Sequence, residues 1–285
     1  MKAGPLLTSA PSAATPAGFA RPDSTGPFAV ATLEVTMPRG RGSMRGMVYR
    51  PLSGDPAPIP RPVIIFGHGY LAAANRYDST CRRLASHGFY VLVPASPDPW
   101  LFGSLTPAAE DMKAAREFLD SLGRMPDVNL DPRRIALAGH SMGGGAAFLD
   151  AQRDTAGSVK AVVGLAPYCI SGRIHPESLH VPALVIAGSN DRSAPAAQVR
   201  RDFFEPCRAP AYFVLVRAGG HNGYLDFTSR IEDRFEPFDR VGQLKAVQSL
   251  MTSFLQVYLA GDEQYLPWLL DPTLSECLNV KLEHK

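Results

Sequence analysis

Along most of the chain, mainly apolar runs alternate with stretches whose apolar residues recur at helical spacing. The runs are Val63–Phe66, Phe89–Val93, Arg134–Ala138, Val159–Leu165, Ala183–Ala187 and Ala211–Val216. A run with no polar alternate is what a strand covered on both faces requires. Between the runs, residues 75–87 read as a helix stopped by Gly88. A second helix opens at Thr106-Pro107, a cap residue followed by a first-turn proline. It keeps Met112, Ala115, Leu119 and Leu122 on one face and ends at Gly123. Met142–Arg153 reads as a third helix, and Val241–Leu259 as a final amphipathic helix closed by Gly261. Ahead of all these, Phe28–Val35 and Ser43–Tyr49 have strand character, with Arg39-Gly-Arg-Gly42 between them, which predicts an antiparallel opening.

This alternation predicts an α/β fold: a mostly parallel central sheet with helices on both faces. Right-handed crossovers then gather the strand C-termini on one edge, where sites form. Residues 1–25, rich in Ala, Pro, Ser and Thr, read as a flexible arm, and residues 26–285 as a single domain without internal repeats. Pro56, Pro58, Pro60 and Pro62 mark a loop, and the closing Lys281–Lys285 carries no assignable pattern.

Composition narrows the function. The 285 residues carry 29 basic and 27 acidic side chains, and 45% are apolar, so disorder is excluded and no nucleic-acid footprint is present. No apolar run reaches the length of a membrane span. There is no dinucleotide fingerprint, phosphate loop or metal-ligand spacing, so neither cofactor nor metal is expected. Cys81 and Cys169 read as buried thiols. For Cys207 and Cys277 a bridge tying the chain end to the body is weighed against free thiols.

The strongest chemical signal is Gly139-His-Ser-Met-Gly143, placed after a strand and before a helix. That is the G-x-S-x-G elbow, in which glycines allow strand and helix to approach closely and the central Ser141 is lifted to a helix N-terminus. A serine hydroxyl needs a base. Of the seven histidines, His221 in Gly219-Gly-His-Asn-Gly223 follows the last parallel strand and overhangs the same edge. The base needs an orienting acid, and Asp191 in Gly188-Ser-Asn-Asp-Arg-Ser193 gives the chain order Ser, Asp, His. Asp150 and Asp154 point away on the following helix. A developing oxyanion needs N–H donors. Met142 supplies one, and Tyr70 in Gly67-His-Gly-Tyr70 the second, with Gly69 as its rival. Trp100, with Leu101 and Phe102, and Tyr168 are expected at substrate, each with loop or core packing as the alternative.

These residues resemble the α/β-hydrolase superfamily, and within it the bacterial cutinase-like polyester hydrolases of the dienelactone-hydrolase-like branch. The similarity runs from about Ser24 to the last helix. It rests chiefly on Gly139-His-Ser-Met-Gly143 and Asn190-Asp-Arg-Ser-Ala-Pro195, and more weakly on Thr25-Gly-Pro-Phe28, Leu84-Ala-Ser-His-Gly-Phe89 and Val181-Pro-Ala-Leu-Val-Ile186. It implies a Ser141–Asp191–His221 triad, an oxyanion hole of Tyr70 and Met142, and a Tyr70 ring touching substrate. Three departures stand out. Tyr168 occupies the family's tryptophan position. Asn222-Gly-Tyr224 replaces the aromatic residue after the histidine. Leu269-Leu-Asp271 stands where the first late cysteine is expected. Phe66-Gly-His-Gly-Tyr-Leu71 and Ala85-Ser-His-Gly-Phe89 also look like plant chlorophyllases. Those place arginine at Met142 and the acid after the strand ending at Leu165, where this chain has no aspartate.

The resemblance implies a serine carboxylic ester hydrolase, secreted with its signal removed rather than cytoplasmic, acting on a small or polymeric ester; a monomer is expected. A serine peptidase or a chlorophyllase-like esterase uses the same machinery on the same fold. From another class, a non-catalytic binding module is disfavoured by the complete Ser–Asp–His set.

Overall fold

The apolar runs become strands because neither of their faces meets water. The computed structural model describes residues 19–52, 59–96, 105–169, 174–208, 210–228 and 238–285. It opens on an antiparallel hairpin, β1 (Ala29–Arg39) and β2 (Gly42–Leu52), as the pattern predicts. The buried runs form β3 (Arg61–Gly67), β4 (Tyr90–Ala95), β5 (Leu130–His140), β6 (Val159–Leu165), β7 (Ala183–Gly188) and β8 (Ala211–Val216). Val63, Ile64, Ile65 and Phe66 of β3 are all fully buried. Among the described residues one nine-stranded sheet is formed, in the order β1-β2-β4-β3-β5-β6-β7-β8-β9. Neighbours from β4 through β8 are parallel. Their C-terminal ends (Ala95, Gly67, His140, Leu165, Gly188, Val216) therefore share one edge.

The helices are α1 (Asp78–Ser86), α2 (Leu105–Leu122), α3 (Met142–Arg153), α4 (Ala196–Val199), α5 (Arg240–Leu255), α6 (Pro267–Leu270) and α7 (Pro272–Cys277). α2 packs with α3, and α1 with α5. Arg116 of α2 holds both carboxylate oxygens of Asp150 on α3, at 2.9 and 2.7 Å, and reaches Asp154 at 3.2 Å. Both aspartates are thereby committed to packing α2 on α3. The helix expected from residue 75 divides into a 3-10 turn, Ala74–Tyr77, and α1, with the Tyr77 side chain driven into the core.

Three expectations change. The helix ending at Gly261, which adopts φ 81°, is not the last, because α6 and α7 follow. The closing residues form β9 (Val280–His284), antiparallel to β8, which covers an otherwise bare sheet edge. No Cys207–Cys277 bridge forms. Cys207 is a buried thiol donating to the Phe203 carbonyl at 2.9 Å, and Cys277 is exposed. Of the expected thiols, Cys81 is buried and Cys169 half-buried.

From Phe19 on, the segment read as an arm lies against the body. The Phe19 ring packs on Tyr265 at 4.8 Å, and Tyr265 donates its hydroxyl to the Ala20 carbonyl at 2.7 Å. Residues 1–18 lie outside the described residues, as do Trp100, Leu101 and Phe102. No helix of the described residues is long and apolar enough to cross a membrane.

Candidate active site

β5 ends at His140 and α3 begins at Met142, leaving Ser141 alone in the turn between them. Its backbone sits at φ 54°, ψ −118°, a conformation of order 1–3 kcal/mol above relaxed for a residue with a side chain. Three hydrogen bonds hold it there. The Ser141 N–H donates to Leu165 O at 2.9 Å, and its carbonyl accepts from Gly145 N and Tyr168 N, each at 3.0 Å. The glycines act sterically. A Cβ on Gly143 would stand 2.2 Å from Gly67 O, and one on Gly139 2.4 Å from Gly143 O, so β3, β5 and α3 meet backbone to backbone. Gly145, which the elbow motif does not include, is constrained in the same way by Tyr168 O at 2.2 Å.

The structure brings Ser141, His221 and Asp191 together from the ends of β5, β8 and β7. The Ser141 hydroxyl donates to His221 Nε2 at 3.0 Å. His221 Nδ1–H donates to Asp191 Oδ2 at 2.7 Å, which fixes the ring's tautomer and orientation. The Asp191 side chain is fully buried, and its other oxygen accepts from Ser193 N at 2.9 Å and Ala194 N at 2.7 Å. A carboxylate with its remaining lone pairs occupied by backbone donors is held in place and paired, as a buried charge must be.

The loop carrying His221 is held from two sides. Gln243, buried on α5, accepts the Gly220 N–H at 3.0 Å and donates to the Gly220 carbonyl at 2.9 Å. Farther on, Asp226 accepts the Ser79 N–H in the first turn of α1 at 2.8 Å, and its own N–H donates to Arg76 O at 2.8 Å. Sequence reading does not single out either residue. Gln243 did leave a signal, because it continues the inward stripe of Ala246, Val247, Leu250 and Phe254 as a polar residue in an apolar place.

At the expected oxyanion hole, Met142 N–H is the first amide of α3 and has no acceptor within the helix. The Gly69 N–H, the rival to Tyr70 in that loop, donates to the Tyr77 hydroxyl at 3.0 Å. Tyr70 is 46% exposed. Tyr168 is half-buried beside the elbow, tied to it by its own N–H. Among the described residues no group of His, Cys, Asp and Glu is arranged to hold a metal ion.

A hydroxyl, imidazole and carboxylate aligned on a strained elbow at the C-terminal edge of a mostly parallel sheet define an α/β-hydrolase. Comparison with known proteins agrees. Residues 10–276 match the family model described as PETase, PET hydrolase-like, and the chain belongs to that family. It is similar to Chlorophyllase-2 of Arabidopsis thaliana, 27% identical over 74% of this chain and 77% of the relative. It is similar to Lipase 1 of Moraxella sp. (strain TA144), 29% identical over 69% of this chain and 59% of the relative. Cutinase 1 of Thermobifida cellulosilytica is 28% identical over 64% of this chain and 66% of the relative. The chain thus spans roughly three-fifths to two-thirds of that lipase and that cutinase. It is an esterase, a hydrolase of carboxylic ester bonds.

Proposed function

We propose that Ser141, His221 and Asp191 cleave a carboxylic ester through an acyl-enzyme. The observation that carries this is the unbroken chain of contacts from Ser141 Oγ to His221 Nε2 at 3.0 Å and from Nδ1 to Asp191 at 2.7 Å. His221 takes the serine proton as Oγ bonds to the carbonyl carbon. The carbonyl oxygen becomes an oxyanion between the Tyr70 and Met142 N–H groups. As the tetrahedral adduct collapses, the bond to the leaving oxygen breaks and His221 Nε2 protonates that alcohol. Water, deprotonated by the same nitrogen, then releases the acid. Asp191 stays ionised and stabilises the imidazolium formed in both halves.

The family description and the cutinases among the relatives support a polyester as the extended substrate, and we place it along the Tyr70 and Tyr168 rings beside the elbow. A polymer cannot enter a cell, so this reading includes a secreted enzyme. A monomer suffices because all three central residues come from one chain. In Ser141→Ala, hydrolysis of p-nitrophenyl butyrate should fall by several orders of magnitude. Retention of a tenth of the wild-type rate would remove Ser141 as nucleophile. A panel from short aliphatic esters to an aromatic polyester film, with matched amides, then separates polyesterase, small-ester esterase and peptidase.

A further inference from the structure

His140 and Tyr77 are both buried beside the site, and the reaction steps above use neither. Tyr77 is fully buried, and its hydroxyl lies between two elements of the site. It accepts the Gly69 N–H at 3.0 Å, one residue before Tyr70. It also lies 2.8 Å from Nδ1 of His140, one residue before Ser141. The His140 ring in turn packs, tilted, against the His221 ring, centroids 4.8 Å apart, and against Tyr224 at 5.0 Å. There is no spare room at this junction, because a Cβ on Gly69 would stand 3.0 Å from His140 Nδ1 and 3.5 Å from Ser141 Cβ.

We propose that Tyr77 and His140 are a positioning pair that sets the Tyr70 N–H against the nucleophile. Tyr77 has one proton to give. With the Gly69 N–H already accepted, it shares its second hydrogen bond with Nδ1 of a neutral His140. Burial supports that state, since it strips water from the imidazole and holds its pKa well below the usual value, with the neighbouring His221 acting in the same direction. Burial pushes the Tyr77 phenol the other way, so it keeps its proton. The hydroxyl is then a fixed spacer. On one side it grips the oxyanion loop, on the other the elbow, so the two N–H donors of the hole are located relative to each other rather than by their separate loops. Donor placement matters because a misfit of about 1 Å at such a site costs on the order of a hundredfold in rate.

This inference rests on the esterase reading above, and its test separates the two. Tyr77→Phe removes the oxygen and little else. The expected result is a fall in kcat of about 10- to 100-fold on p-nitrophenyl butyrate with KM changed less than threefold. The inhibition constant of butylboronic acid, whose serine adduct places an anionic oxygen in the hole, should rise by the same factor. His140→Leu should show the same losses. His140→Asn, whose amide oxygen stands near where Nδ1 stood, should recover most of them. A Tyr77→Phe enzyme with wild-type kcat and inhibition constant overturns the proposal, as does a kcat loss that leaves boronate binding untouched. Should Tyr77→Phe fail to fold, equal kcat in the two His140 variants overturns it. Activity surviving in Ser141→Ala would instead remove the underlying reading.

Discussion

Asp226 and Ser79, 147 positions apart in the chain, are joined by a 2.8 Å hydrogen bond from the Ser79 N–H to the Asp226 carboxylate. Asp226 thereby caps α1 from outside, five residues beyond His221. The loop carrying His221 is thereby fastened to the helix that follows the Tyr70 loop. Asp226→Ala is expected to cost ~1 kcal/mol of stability, the usual cost of a lost helix cap. Urea unfolding checks this, and a variant as stable as the parent would show that the tether is idle.

Gln243 holds Gly220 through both of its backbone groups. Gln243→Leu keeps the volume and strands a buried N–H and carbonyl, at ~1–3 kcal/mol. Because the next residue is His221, kcat should fall about tenfold or more, with KM little changed. Steady-state kinetics beside a melting curve separates displacement of the base from general loosening.

Gly143→Ala places a methyl group 2.2 Å from a backbone oxygen of β3. Backbone cannot yield as a side-chain tip can, so strand and helix must part. A stability loss of ~3 kcal/mol or more is expected, together with loss of esterase activity. Differential scanning calorimetry of the purified variant measures the first, and a soluble ester assay the second.

Burial holds the imidazoles of His87 and His140 below the usual 6.5. In the unfolded chain each takes up a proton before the folded chain does. Stability is therefore intact above about pH 6.5 and is lost below it, by up to ~1.4 kcal/mol per pH unit for each fully buried ring. The melting temperature should decline from pH 7 to pH 5, and His87→Asn should flatten that slope. A slope identical in the variant would assign the decline elsewhere.

β9 covers the edge of β8, pairing from Tyr212–His284 to Val216–Val280. Deleting residues 279–285 bares that edge. Earlier melting and a rise in light scattering on warming are expected, as an open strand edge pairs with other chains. Unchanged melting and scattering would make β9 dispensable.

Most of the sheet is legible in the sequence, because strands buried on both faces leave mainly apolar runs, interrupted only by Lys160 in β6 and opened by Arg134 in β5. The elbow is legible because its glycines are demanded by backbone contact. Asp191 and His221 are found by asking which acid and which histidine follow parallel strands. What escapes is long-range. Nothing local to Lys281–Lys285 marks it as a strand, since its partner β8 lies some seventy positions earlier. Tyr77 sits in a helical pattern, and only the fold shows its hydroxyl between Gly69 and His140. Nothing local to Cys207 or Cys277 shows that one is buried with its thiol on the Phe203 carbonyl while the other faces solvent.

β9 runs back along β8, so Lys285 ends beside Ala211 at the start of that strand, their backbones exchanging two hydrogen bonds of 3.0 Å. His221 lies past the far end of the same strand, about 20 Å away at ~3.3 Å per residue. A protein attached to a bead through the Lys285 side chain would therefore present the edge carrying Ser141 and His221 outward, away from the support.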